Sequence, residues 1–167
     1  MNLETLGNLG DFIGGIGVIA TLIYLASQIR QNTASVRQSN RIATANTEIS
    51  VRGGYGVLCG MIIENAEVAE AFVQAQSEDN QLDDVAKMRL QYFFIQMANQ
   101  WHAIETAFEQ EMIPPATYGV MFDDHKFMIE TYPGARPLLR NVLESWTALS
   151  DTASYKSVDK LLKEHGH

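Results

Sequence analysis

The sequence predicts an all-α protein: an N-terminal transmembrane helix that continues into a long helix, followed by a cytoplasmic helical bundle. Three observations predict it. No side chain is charged from Phe12 to Ile29. Beyond that run, apolar residues recur at spacings of three and four, the helical period, and nowhere alternate with period two. Pro114-Pro115, Tyr132-Pro133-Gly134 and Pro137 punctuate the chain where helices would start or stop.

The stretch Leu9 to Ile29 reads as a membrane span. The uncharged part, Phe12 to Ile29, rises about 27 Å as a helix, close to the ~30 Å hydrocarbon core. Ten residues from Leu9 to Ile29 are Leu, Ile, Val or Phe. At about −0.3 to −0.6 kcal/mol each they favour insertion by roughly 3–6 kcal/mol. Gly10, Gly14, Gly15, Gly17, Thr21, Ser27 and Gln28 subtract from that. An anchor this thin gains from packing on another helix. Gly7, Gly10, Gly14 and Gly17 share one helical stripe, and small-residue faces let helix backbones approach closely in a membrane. They are the expected helix–helix interface.

Basic residues set the orientation. Arg30, Arg37, Arg41 and Arg52 follow the span and no Lys or Arg precedes it. The positive-inside rule then puts the C-terminal part in the cytoplasm of a bacterial inner membrane. A signal peptide fits less well, lacking a basic leading region and a good cleavage site. A buried, glycine-rich core helix of a soluble protein is the competing reading. The expected division is 1–31 as anchor and 32–167 as a cytoplasmic all-α domain.

With the anchor set aside, about 135 residues remain, the size of one domain. The whole chain is 46% hydrophobic with a net charge of −8. That acidity argues against nucleic acid, which needs a basic patch. Cys59 is the single cysteine, so no internal disulfide can form, and it reads as a small buried hydrophobe.

No Gly or Pro interrupts Val18 to Arg52, so the span is expected to continue as one helix. Leu22, Ile29, Val36 and Ala43 recur every seven residues, with Leu25, Asn32, Ser39 and Asn46 at the other seam positions. This is a poor core for an isolated coiled coil, although polar seam residues fix register. Val51 to Ile63, with Gly53, Gly56 and Gly60, reads as a close helix crossing inside the domain, with a kink at Gly53-Gly54. Asn65 opens a short helix with Val68, Ala71, Phe72 and Ala75 on one face. Ser77 to Gln81 is a solvated turn. Asp83 or Asp84 caps the longest cytoplasmic helix, Val85 to Met112. Its expected core stripe is Val85, Met88, Tyr92, Ile95, Trp101, Ile104 and Phe108. Pro115 suits the first turn of a helix to Thr131. Pro137 begins another, with Leu138, Leu139, Val142, Leu143 and Trp146 apolar. A last helix carries Val158, Leu161 and Leu162, ahead of a flexible His165-Gly166-His167 tail.

Leu22 to Thr33 (LIYLASQIRQNT), with the run from Ala107 to Leu162 (AFEQEMIPPATY, YPGARPLL, SWTAL, SVDKLL), resembles an uncharacterised bacterial family of small single-pass proteins. Tyr92, Phe93, Phe94 and Trp101 fit the aromatic-rich helix of that family. Leu138 and Leu139 stand where an aromatic residue is usual. The resemblance implies a membrane-anchored helical domain and carries no functional residue.

Chemistry is sparse. His102 and Glu105 lie three apart, and Asp123, Asp124, His125 and Glu130 follow on the next helix. Facing helices of this kind can build a carboxylate–histidine metal site, with His102, Glu105 and His125 as its weak candidates. The di-iron pattern needs two Glu-x-x-His motifs and is absent. No nucleophile elbow, phosphate loop or Cys–His pair is found, and no cofactor is expected. The expectation is a structural or interaction protein in contact with the bilayer, self-assembling or docked as an accessory subunit on a larger membrane complex. The alternative is a membrane-tethered domain that binds or senses a small ligand among Tyr92, Phe93, Trp101, Phe122 and Trp146.

Overall fold

The structure, a computed structural model, describes residues 3–78 and 82–167, with side chains from residue 7 onward. Asp79, Asn80 and Gln81 of the expected turn lie outside the described residues. Six α-helices follow one another: α1 (Leu3–Ile63), α2 (Ala66–Gln74), α3 (Asp84–Glu109), α4 (Pro115–Thr131), α5 (Arg136–Ser145) and α6 (Ala153–Glu164). Short 3₁₀ turns at Pro133–Ala135 and Thr147–Leu149 flank α5. No strand occurs among the described residues. The chain forms two compact units, Met1–Ala43 and Thr44–His167.

The first unit is the N-terminal part of α1. Every described side chain from residue 7 to 43 is exposed, the seam positions Leu22, Leu25, Ile29 and Val36 included. The helix is unbroken through Gly53-Gly54.

In the second unit, α2 packs on α3, α3 on α4 and α5, and α6 on α3, α4 and α5. The end of α1 enters this core through Val51 and Leu58. The expected close crossing does not form: among the described residues α1 makes no extended close approach to another helix, and Gly53 and Gly56 face open space. What lies over Gly54 is the flexible end of the Gln100 side chain. Gln100 Nε2 donates to Val51 O at 2.8 Å, tying α3 to the α1 backbone.

Caps follow the sequence. Asn65 Oδ1 accepts from Glu67 N and Val68 N, and Asp83 Oδ1 accepts from Ala86 N at 2.7 Å. The core stripe of α3 is corrected in its first half. Val85, Met88 and Tyr92 are exposed, and Ala86, Leu90, Phe93, Phe94, Met97, Trp101 and Ile104 are buried. Trp101 and Ile104 are buried as expected and Ile95 and Phe108 pack half-buried against the core, so the correction falls on the first turns, where Ala86, Leu90 and Phe93 face inward one or two positions after Val85, Met88 and Tyr92. Cys59 is exposed rather than buried, because Leu58 takes the inward position on that turn.

Two helix ends close by the same motif with different residues. At α3, Met112 N–H donates to Ala107 O (2.8 Å) and Glu111 N–H to Phe108 O (2.9 Å), with Glu111 left-handed at φ 57°. At α6, His167 N–H donates to Leu162 O and Gly166 N–H to Lys163 O, with Gly166 at φ 82°. Gly is the low-cost residue at that position, and Glu is not. The C-terminal residues are not a loose tail. Arg140 Nη2 donates to His167 O at 2.8 Å.

The Tyr132-Pro133-Gly134 turn docks on the end of α2. Gly134 N–H donates to Ala75 O at 2.9 Å, and Phe72 meets Tyr132 edge-on at 5.0 Å. Arg136 is buried behind the turn, donating to Ile129 O at 2.9 Å and to Glu78 at 2.6 Å.

Candidate functional site

Two features stand out: the apolar part of α1, and a polar centre where α3, α4 and α6 meet.

Leu9, Phe12, Ile13, Ile16, Val18, Ile19, Leu22, Ile23, Leu25 and Ile29 are each between 48% and 67% exposed. They cover about two thirds of the helix circumference, all but the glycine face, rather than one narrow stripe. Leaving ten such side chains uncovered costs on the order of 15 kcal/mol relative to burial, at about 1.5 kcal/mol or more each. A core helix would be covered by its own chain, and none of the most apolar window of α1 is buried. By length and composition the helix can cross a membrane. Gly7, Gly10, Gly14 and Gly17 have no atom within 4 Å of where a Cβ would stand, so that face is open to another backbone.

The polar centre is built around Glu105. It lies on the inward stripe of α3 and is 4% exposed. Its Oε1 accepts from Ala153 N (2.5 Å), and its Oε2 accepts from Ser154 N (3.1 Å) and Ser154 Oγ (2.6 Å). A carboxylate from α3 thereby joins Thr152 Oγ1, which accepts from Tyr155 N at 3.3 Å, in capping the N-terminus of α6. Negative charge is favoured there by the helix dipole. Burial alone would raise the Glu105 carboxyl. The Ser154 hydroxyl, the two backbone N–H groups and nearby His102 outweigh it and hold the group below the usual carboxylate range.

His125 on α4 supplies a second link to α6. It is fully buried, and its Nδ1 lies 3.0 Å from Ser157 Oγ. Its ring meets Trp101 edge-on at 4.3 Å. Burial lowers the imidazole to about 4, against the opposing pull of the Glu105 charge, so His125 is neutral at pH 7.

Beside it, the Tyr55 hydroxyl lies against Asp124 and Trp101, close enough for each to bias the other. Even so, Tyr55 Oη, Asp124 Oδ2 and Trp101 Nε1 are buried without a hydrogen bond of ordinary geometry. Burial pushes the Tyr55 hydroxyl far up, with Asp124 adding to the effect. Burial also raises the Asp124 carboxyl.

The structure brings His102, Glu105 and His125 into one neighbourhood, but not as a ligand set. Both Glu105 oxygens are committed to α6 and His125 Nδ1 to Ser157. Among the described residues no group of three His, Cys, Asp or Glu side chains is arranged to hold a metal ion. The aromatic residues proposed for a ligand are also dispersed. Tyr92 is exposed and Phe93 lies in the core, while Trp101 and Trp146 share a cavity of about 20 Å³ with Leu143, Leu149 and Val158. That is room for about one water molecule, against the several hundred Å³ of a small-molecule site.

Sequence reasoning missed Tyr55, Gln100, Ser154 and Ser157. One signal was present for the centre they complete. Glu105 and His125 fall in register with Trp101 and Phe108, and with Met121 and Met128, on apolar stripes. A charge in such a register needs a committed partner.

No family model, curated protein or solved structure matches this chain.

Proposed function

We propose that this is a membrane-anchored structural or interaction protein. The α1 segment Leu9 to Ile29 sits in a bacterial inner membrane, and the acidic helical bundle lies on the cytoplasmic side. Assembly is with copies of itself or with a larger membrane complex, through the face of Gly7, Gly10, Gly14 and Gly17. The observation that carries this reading is the exposed apolar girdle, which only lipid or another apolar surface can cover at acceptable cost. The open Cβ positions of the four glycines support close backbone contact. Arg30, Arg37, Arg41 and Arg52 support the orientation.

Two measurements test it. After lysis without detergent the chain should pellet with membranes and resist carbonate extraction; recovery in the supernatant would remove the anchor. Gly10→Leu with Gly14→Leu should leave the chain in the membrane, because Leu inserts more favourably than Gly, yet abolish the higher species on native gels. Unchanged migration would remove the glycine face as the assembly surface.

A further inference from the structure

The chain has twelve Lys and Arg residues. Nine of them, all but Arg30, Arg37 and Arg41, lie within 4.0 Å of a carboxylate oxygen. These three have no ion pair among the described residues and are exposed. The cause is visible in the sequence: no Asp or Glu occurs from Phe12 to Thr47. No helical neighbour three or four positions away can neutralise them.

Their placement is ordered. At about 100° per residue, Arg30, Arg37 and Arg41 fall within about 40° of one another on α1, roughly opposite the glycine stripe. Orientation in the membrane accounts for basic residues after a span, but not for this pattern. The positive-inside effect requires no shared face, and acidic residues contribute little to it, so it gives no reason for their absence.

We infer that Arg30, Arg37 and Arg41 form a docking stripe for an acidic protein segment, whose carboxylates supply the counter-charge that this chain withholds. The inference rests on the anchored reading above, which fixes where the stripe lies. Arg30 follows the apolar run directly and reaches the headgroups. Arg37 and Arg41 stand about 10 and 16 Å further along the helix, and a headgroup layer is only about 5–8 Å deep. An upright helix therefore carries Arg41 beyond lipid phosphate and into the range of a protein partner. With the glycine face roughly opposite, close helix contact and acidic docking can occur together.

The test uses the full chain in discs of phosphatidylcholine, which carry no net charge. The probe is a labelled alanine-based helical peptide with glutamates alternately four and three residues apart, and its glutamine counterpart. Saturable binding of the glutamate peptide is expected, weakening as salt rises and falling about tenfold in Arg37→Gln/Arg41→Gln, from about fivefold or less per exposed pair. The glutamine peptide should not bind. Equal binding by wild type and variant, or none by wild type, overturns the proposal. So does a variant whose only defect is weaker association with phosphatidylglycerol vesicles, since the counter-charge is then lipid. Should the chain fail to load into discs, the anchor fails, and the same titration on the purified chain still decides whether the stripe binds acidic peptide.

Discussion

Replacing His125 by Asn should make the fold less sensitive to mild acid. The folded imidazole is held at about 4 by burial, whereas an unfolded histidine titrates near ~6.5. Between those values the unfolded chain takes up a proton that the folded chain refuses. The stability contributed by neutral His125 is therefore complete above pH ~6.5 and declines as pH falls toward ~4. The full difference is about 3 kcal/mol, and about 2 kcal/mol of it is lost between pH 7 and pH 5. Glu105 and Asp159 are both held below the usual carboxylate range, so they remain ionised in the folded state at pH 5 and contribute little there, since unfolded carboxylates titrate near ~4. Asp124, raised by burial, acts in the opposite sense. A raw pH profile mixes these effects, and the comparison with a non-titrating side chain separates them. Asn keeps a polar group near Ser157 Oγ and cannot ionise. Denaturant unfolding of the full chain in mild detergent, followed by tryptophan fluorescence, should show wild type losing about 2 kcal/mol more than His125→Asn from pH 7 to pH 5. Equal losses would refute the buried, neutral imidazole.

Glu105→Ala strips the end of α6 of three hydrogen bonds and should cost about 3 kcal/mol in the same assay, with Glu105→Gln milder because one acceptor remains. Gly134→Ala would bring a Cβ to 2.6 Å from Ser77 O and 3.2 Å from Ala75 O. Backbone oxygens cannot rotate away, so thermal unfolding by circular dichroism should show a loss of about 1–3 kcal/mol. Glu111→Gly should do the reverse. It relieves a left-handed residue at the end of α3 and should stabilise the chain by about 0.5–1 kcal/mol after the added freedom of the unfolded glycine.

The all-helical class was legible because every helix is bounded by local chemistry: Asn65 and Asp83 at N-caps, Pro115 and Pro137 in first turns. These signals act within a few residues and need no knowledge of the fold. The packing of α3 was less legible. Tyr92, Phe93 and Phe94 are adjacent aromatics, so composition alone could not tell which pair turns inward, and the register is decided by where α2, α4 and α5 lie. The glycine spacing at the end of α1 misled for another reason: small residues permit a close crossing but do not supply the partner helix. Gly53 and Gly56 face open space, and Gly54 is met only by the side-chain end of Gln100, forty-six positions along the chain.

The polar centre shows why a carboxylate and two histidines near one another are weak grounds for a metal. In sequence, His102, Glu105 and His125 are three good ligands on neighbouring helices. In the fold, Ala153 and Ser154 arrive from α6 and occupy the Glu105 oxygens, and Ser157 lies on His125 Nδ1. An uncapped α6 would leave N–H groups buried without partners, each at about 1–3 kcal/mol. Glu105 is therefore better explained as the α6 cap than as a metal ligand. The Glu105 carboxylate is thereby spent on the fold. The open glycines Gly7, Gly10, Gly14 and Gly17, the exposed apolar residues and the three unpaired arginines all lie within the first forty-three residues, and that is where binding partners should be sought.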